Sequence, residues 1–370
     1  MAVATRTSSL CCIQIQRSFD EQLPNIAPSN FPYDGNLLAA LKSPANVGNF
    51  NLSDPRHFGK GRPQVGNDCV VEVVYEMPFC DDAETTCLDV CDVQTVRGDS
   101  LAYLGVTVDY FRSYAGQFTD YDFQCLCESP NERLTKRIDQ AAQIITKSMV
   151  EHIAALMYAQ VGSYSNGLAS NDVANYETLP LLNPAGYSNP AGMTKVVNEH
   201  RLQRGRSNPF IVGGLALENW MRVRTVGGLN GQHPIQPGDQ SFGANIVTDL
   251  DVDQALKDIA GDNLDHAISW QPGAFQLLEW YENEGYMERF HDHYTFTTIT
   301  IRGVKFDFYI RYEECTRTWK WVLCKAYDLF SLGEALYAPC ITGNHKLHWT
   351  LDCAQFACED YYVTPGAASS

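Results

Sequence analysis

SPNERLTKRIDQAAQIITKSMVEHIAALMYAQVG, residues 129–162, is the stretch on which the fold turns. Ser129-Pro130-Asn131-Glu132 is a complete helix start. Ser129 caps, Pro130 fits the first helical position, and Glu132 reaches back as the capping-box acid. Apolar residues then recur at Leu134, Ile138, Ala141, Ile145, Met149, Ile153 and Leu156, in steps of three or four. That spacing is one buried face of an α-helix, and its mean step exceeds the coiled-coil repeat of about 3.5 residues. Gly162 is a natural stop. The expected helix, Pro130 to Val161, measures about 48 Å at ~1.5 Å per residue. The sequence offers no second helix of that length to pair with it, so it is expected to lie across a sheet. Its polar face, Arg133, Lys136, Arg137, Asp139, Lys147 and Glu151, forms no catalytic constellation and reads as solvated or subunit-facing surface.

The partner for that buried face lies near the other end of the chain. Val304, Phe306, Phe308, Ile310 and Tyr312 alternate with Lys305, Asp307, Tyr309, Arg311 and Glu313. A turn through Glu314-Cys315-Thr316-Arg317 leads to Trp319, Trp321 and Leu323, alternating with Lys320, Val322 and Cys324. This is an amphipathic hairpin with one apolar face. Its aromatic stripe reads as core rather than a base-stacking platform, because no basic groove accompanies it.

Two shorter strand signals precede the helix. Val71, Val73, Tyr75 and Met77 alternate with Glu72, Val74 and Glu76; Leu104, Val106, Val108 and Tyr110 alternate with Gly105, Thr107 and Asp109. They predict a two-stranded antiparallel excursion. From Val70 to Leu126 there are eleven acids against two arginines, a net of -9, about half of the chain's -17. The tip, residues 78–100, carries Asp81, Asp82, Glu84, Asp89, Asp92 and Asp99. It lacks EF-hand spacing and the turn glycine, so a partner-facing acidic loop is the expectation and a structural calcium site the alternative.

After the long helix, Asn189-Pro190 starts a second helix ending at Gly205, with a basic patch at Arg201, Arg204 and Arg206 and with Arg222 and Arg224 beyond. The patch is either a solvated helix end or a docking site for the acidic loop of a neighbour. Two strand–turn–helix patterns follow. Phe210-Ile211-Val212 leads through Gly213-Gly214 into Leu215–Arg224, and Ala267–Trp270 leads through Pro272-Gly273 into a helix over Ala274–Tyr281. They imply an α/β region over about 190–290. Gly213-Gly214 is no phosphate loop, since no Lys-Ser/Thr follows.

The chain has 370 residues. An acidic chain is a poor general nucleic-acid binder. No run of about 18 apolar residues exists to span a membrane, and the N-terminus lacks a signal-peptide core. Residues 1–19 are a weakly basic arm. Residues 20–68, rich in Pro, Asn and Gly with an apolar patch at Leu37–Leu41, read as an extended arm that packs on another subunit. The 13 cysteines include no CxxC pair. They read as reduced, mostly buried thiols, with oxidation after release from the cell as the alternative; Cys80, Cys87, Cys91, Cys353 and Cys358 are then the disulfide candidates.

Catalytic motifs are missing: there is no GxSxG, HExxH, SxxK or P-loop. His291-Asp292-His293 and His345-Lys346-Leu347-His348 are the close histidine pairs. HxH on a strand puts both rings on one face, making His291 and His293 weak metal candidates, but His291 is expected in a polar turn after a helix and no third ligand is placed by spacing. No cofactor is expected, and the chain does not read as an enzyme.

The order of these parts resembles the major capsid protein of tailed bacteriophages, the Hong Kong 97-like fold shared with encapsulins. Asn263–Trp280, with Trp270-Gln271-Pro272-Gly273-Ala274 at its centre, and Tyr327-Asp328-Leu329-Phe330 are similar to segments of that family. The resemblance implies an α+β fold with an N-terminal arm (1–68), an extended β-hairpin E-loop (69–111), a peripheral domain with the spine helix (112–184), an axial domain (185–290), and returning peripheral strands with a C-terminal segment (291–370). It implies an icosahedral head shell enclosing double-stranded DNA, built from hexamers and pentamers and assembled in the host cytoplasm. A portal and decoration proteins are implied partners, and a short arm beginning at Met1 implies a separate scaffolding protein. Asp81, Asp82, Glu84, Asp89, Asp92, Arg201, Arg204 and Arg206 are the candidate intersubunit contacts. The alternatives are an encapsulin-like compartment shell and a metal-dependent hydrolase using His291 and His293. The Cys-rich tail after Phe330 is not accounted for by the resemblance.

Overall fold

The computed structural model describes residues 36–47, 70–76, 101–119, 130–161, 163–165, 168–170, 177–181, 190–202, 208–226, 243–262, 264–280, 290–291, 294–313, 315–331 and 346–352. In chain order the elements are α1 (Asn36–Lys42), α2 (Pro44–Val47), β1 (Val70–Glu76), β2 (Leu101–Thr107), β3 (Tyr110–Thr119) and α3 (Pro130–Gln160). Then come β4 (Ser163–Ser165), β5 (Leu168–Ser170), β6 (Glu177–Pro180), α4 (Pro190–Leu202), β7 (Phe210–Gly213), α5 (Leu215–Val226), β8 (Asn245–Thr248) and α6 (Leu250–Ala260). The last are β9 (Asp265–Trp270), β10 (Phe275–Trp280), β11 (Phe290–His291), β12 (Tyr294–Ile301), β13 (Val304–Glu313), β14 (Thr318–Ser331) and β15 (Lys346–Asp352). The fold is α+β. The chain divides into two compact units.

The described residues of the first unit lie within Thr107–Met149 and Leu278–Asp328. Its sheet runs β10-β14-β13-β12-β11, with β3 also on β14. β12, β13 and β14 form an antiparallel meander. The first turn is Ile301-Arg302-Gly303-Val304, with φ of 49° at Arg302 and 81° at Gly303. Both central residues are left-handed, the turn whose twist matches that of the strands it joins. Leu134, Ile138, Ala141 and Ile145 of α3 share one core with Ile299, Val304, Phe306, Phe308, Ile310, Trp321 and Leu323. The expected pairing of long helix and hairpin is therefore present. On β3, Gly116 lies opposite Trp321, and a Cβ there would stand 2.3 Å from the indole. The absence of a side chain is what lets the ring lie flat across the strand.

The second unit draws on Asp34–Val106, Val150–Leu277 and Leu329–Ser370. Its sheet runs β6-β15-β9-β7-β8. β7 and β8 are parallel, as are β15 and β6, whereas β9 is antiparallel to β7 and β15. Its core joins Met193 and Val196 of α4, Leu217 and Trp220 of α5, and Leu347, Trp349 and Leu351 of β15. α6 is closed at both ends. Asp249 Oδ1 accepts from the Asp251 N–H, and Gly261, at φ 70°, donates its N–H to the Lys257 carbonyl. Asp at the N-cap and a left-handed Gly just past the last turn are the residues that helix ends favour.

Several expectations are corrected. Ala274–Tyr281 is not a helix: Phe275–Trp280 is the strand β10. Pro272-Gly273 forms a turn closed by the Ala274 N–H on the Gln271 carbonyl at 2.9 Å, with Gly273 at φ 90°. Phe275, Gln276, Leu277 and Leu278 are all buried, which a one-faced helix does not require. The strand expected through Tyr110 breaks at 108–109, and Tyr110 opens β3, where it stacks on Tyr327 at 6.1 Å. β1 and β2 pair with one another. At the end of α3, Met157 is buried and Leu156 is half-buried. Tyr312 is exposed rather than core.

Part of the expected extended arm is also helical. Leu37, Leu38 and Leu41 are buried within their own unit. Leu37 N–H donates to Asp249 Oδ2 at 3.1 Å, and Asn36 Nδ2 to the Thr248 carbonyl at 2.9 Å. Asn46, fully buried, donates to the Leu41 and Phe275 carbonyls and accepts from the Trp270 indole, each at 2.9 Å. A buried amide with its hydrogen bonds satisfied fixes this segment in one position.

Candidate functional site

Of the candidate intersubunit contacts, Arg201 is described; it is exposed in the last turn of α4. Arg204, Arg206, Asp81, Asp82, Glu84, Asp89 and Asp92 lie outside the described residues, as do Cys80, Cys87, Cys91, Cys353, Cys358 and His293. His291 is in strand β11, opposite Tyr294, rather than in a polar turn. Among the described residues no group of three or more His, Cys, Asp or Glu could hold a metal ion. Cys315 is an exposed thiol at the β13–β14 turn, and Cys324 is buried.

The structure instead gathers polar groups that the sequence left scattered. Asp139, assigned above to the polar face of the long helix, is 2% exposed. Arg302 Nε donates to its Oδ1 at 2.9 Å and Arg302 Nη2 to its Oδ2 at 3.2 Å, while Gln143 Nε2 donates to Oδ2 at 2.8 Å. This two-pronged ion pair clamps α3 to the β12–β13 turn. The hydrogen bond to Asp139 raises the pKa of Arg302. A buried cation, Lys325 on β14, meets Glu279 Oε1 at 2.8 Å and donates to the Lys305 carbonyl at 2.9 Å.

The third centre lies on β9 and β15. His266 Nε2 is 2.7 Å from Asp262 Oδ1, and His348 Nε2 is 3.1 Å from His266 Nδ1. The two rings stack with centroids 5.1 Å apart, and Tyr158 of α3 meets His348 edge-on at 4.9 Å. A carboxylate accepts, so His266 carries its proton on Nε2; its Nδ1 then accepts, so His348 donates from Nε2. Burial, with the neighbouring His266, pushes the His348 pKa down to about 3. Burial works to raise Asp262, but hydrogen bonds from His266 and the Leu264 N–H outweigh it and lower its pKa. On the sheet's other face His200 Nε2 meets Ser269 Oγ at 2.8 Å, and the Trp349 indole donates to the same oxygen at 2.7 Å.

At the surface, β3 pairs with β14 and with no other described strand. It contains neither Pro nor Lys, and it exposes Phe111 (58%) and Tyr114 (41%). Arg112 is its one charged residue, and no other described strand pairs with this edge. No described helix is long and apolar enough to cross a membrane.

No family model matches the chain, and no curated protein sequence matches it. Among solved structures the chain is similar to one from Mycobacterium phage Adephagia, at 14% identity and TM-score 0.41 over 90% of this chain and 97% of that one. It is similar to the cyanophage A-1(L) capsid asymmetric unit at 10% identity and TM-score 0.41, over 76% of this chain and 87% of that one. The capsid of Ralstonia phage GP4 is similar at 9% identity and TM-score 0.40, over 76% and 84%. The solved structures that resemble this chain are mainly those of phages, capsids among them.

Proposed function

We propose that the chain is a structural subunit of a closed shell: the major capsid protein of a tailed phage, self-assembling in hexamers and pentamers around double-stranded DNA. The observation that carries this reading is the order of the elements. An arm precedes a two-stranded excursion, then one 31-residue helix lying on an antiparallel meander, then a second sheet unit, with late strands returning to both sheets. In this reading residues 1–68 are the arm, 69–111 the E-loop, 112–184 the peripheral domain with its spine helix, 185–290 the axial domain, and 291–370 the returning strands and C-terminal segment. The edge of β3, which no other described strand covers, adds support, because an unpaired strand edge is a surface for a neighbouring chain. The acidic loop of one copy docks on Arg201, Arg204 and Arg206 of the next. A separate scaffolding protein, a portal and decoration proteins complete the set of partners, assembly takes place in the host cytoplasm, and the product resides in the virion. The subunit has no catalytic role and needs no cofactor.

Co-expression with the scaffolding protein, followed by size exclusion and negative-stain microscopy, tests this. Closed particles are expected, and a persistent monomer overturns the reading. Deleting residues 78–100 is expected to leave a folded subunit that no longer closes shells.

A further inference from the structure

We propose that the β13–β14 turn is a contact point for a second copy of this chain, and that Arg317 is the residue that grips a carboxylate of that copy. The inference deepens the shell reading and rests on its claim that the chain associates with itself.

β13 has a turn at each end. Each turn holds one arginine in the left-handed region, Arg302 and Arg317, both at φ 49°. Crowding of Cβ makes that conformation unfavourable for arginine, and Gly or Asn is the usual occupant of such turn positions. A residue kept there against its preference points to a task. For Arg302 the task is visible, since its guanidinium holds Asp139 by two hydrogen bonds. Arg317 has the same backbone angle, but its side chain is exposed, and among the described residues it has no hydrogen-bond or ion-pair partner. The anion that matches Arg317 therefore lies on another molecule.

The surroundings of Arg317 fit a protein partner. Arg311 stands directly opposite Lys320 on the neighbouring strand, and Lys320 bonds Glu313 Oε1 at 2.9 Å. Like charges directly opposite each other disfavour a hairpin, so an outside anion is welcome there. Residues 311–320 carry Arg311, Arg317 and Lys320 against Glu313 and Glu314, a local positive excess in a chain of 44 acids and 27 lysines and arginines. A second copy thus offers carboxylates in surplus, of the sign this turn lacks. Beside the charges stands an aromatic pair. Tyr312, 38% exposed, packs on the half-buried Trp319 with ring centroids 4.7 Å apart. Arg, Tyr and Trp are the residue types that dominate protein–protein contacts. A phosphate backbone would be served by the cations alone, whereas the aromatic pair favours a protein surface.

Sedimentation velocity of the full chain across a range of concentrations, for the wild type, R317G and R317E, tests the contact. Glycine suits the left-handed φ, so R317G separates backbone preference from side-chain task. R317G is expected to unfold at a higher temperature than the wild type and yet to self-associate about tenfold more weakly, the effect of losing one interface arginine. R317E is expected to associate more weakly still; if it does not fold, R317G decides alone. An R317G that associates like the wild type overturns the proposal and leaves the shell reading standing. Small wild-type oligomers that R317G dissociates support the proposal and remove the closed shell. A wild type that stays monomeric at every concentration overturns both. An R317G less stable than the wild type shows a role inside the subunit and overturns the proposal. So does an R317G that loses only the gel retention of linear double-stranded DNA, because the arginine then serves a phosphate.

Discussion

Arg302 and Asp139 face each other across very different exposures, 35% for the arginine side chain and 2% for the aspartate. The ion pair is therefore asymmetric under mutation. Removing Asp139 leaves a guanidinium that water can solvate. Removing Arg302 leaves a carboxylate buried with only part of its hydrogen bonding satisfied. R302A is expected to cost about 2–3 kcal/mol and D139N about 1, by urea unfolding of the isolated subunit. Equal losses would contradict the burial argument. The sequence could not show this pair. Asp139 sits among Lys136, Arg137 and Gln140 in a polar-looking stretch, and its partner is 163 residues away at a turn. His266 and His348 were hidden for the same reason: they lie 82 residues apart, and only the β9–β15 register sets them side by side.

Among the elements, those whose own residues decide their form were legible. The long helix announces itself by cap, period and stop, and the β13–β14 hairpin by strict alternation. β10 was not legible in this way, because Leu277, Leu278 and Tyr281 fit a helical spacing as well as a strand. Burial of Gln276 with its neighbours settled the matter in favour of the sheet. α6 was missed although its signals were present, with Asp249 before the first turn and Gly261 after the last. Asp249 carries more than a cap. One carboxylate oxygen serves the Asp251 N–H and the other the Leu37 N–H. D249A is expected to lose about 1–2 kcal/mol through the cap alone. It should also raise the rate of limited proteolysis within 34–47, which mass mapping would detect; D249N should retain most of the protection. Proteolysis at 34–47 unchanged in D249A would mean that the helical segment is held by Asn46 without help from the cap.

For the molecule as a whole, acid is the informative variable. His348 is held near 3, against an unfolded value of about 6.5. A depressed histidine contributes its full stability above the unfolded value and loses it as pH falls toward the folded one. Between about pH 6.5 and 3, stability should therefore fall by about 1.4 kcal/mol per pH unit from this one ring. Chemical denaturation at pH 7, 6, 5 and 4 should show a shallower slope for H348Q by about one bound proton. An unchanged slope would place the acid sensitivity elsewhere. Composition gave the acidic character and the want of catalytic motifs, but the assignment of chain segments to two separate cores follows from long-range pairings that no local pattern records.

The position of β15 has a consequence for how the chain is made. β6, at 177–180, finds its strand partner at 349–352, and the core beneath it waits for Leu347, Trp349 and Leu351. At ~5–20 residues per second, a ribosome takes roughly ten to thirty seconds to travel between those strands. Throughout that interval the nascent chain presents an unfinished apolar surface, so this unit closes late in synthesis or after it. A chain stopped at residue 345 is expected to partition into aggregates, whereas one stopped at 352 should not, by sedimentation of the expressed products. The sheet thus acts as a checkpoint on translation: a chain cut short before β15 leaves this core without Leu347, Trp349 and Leu351.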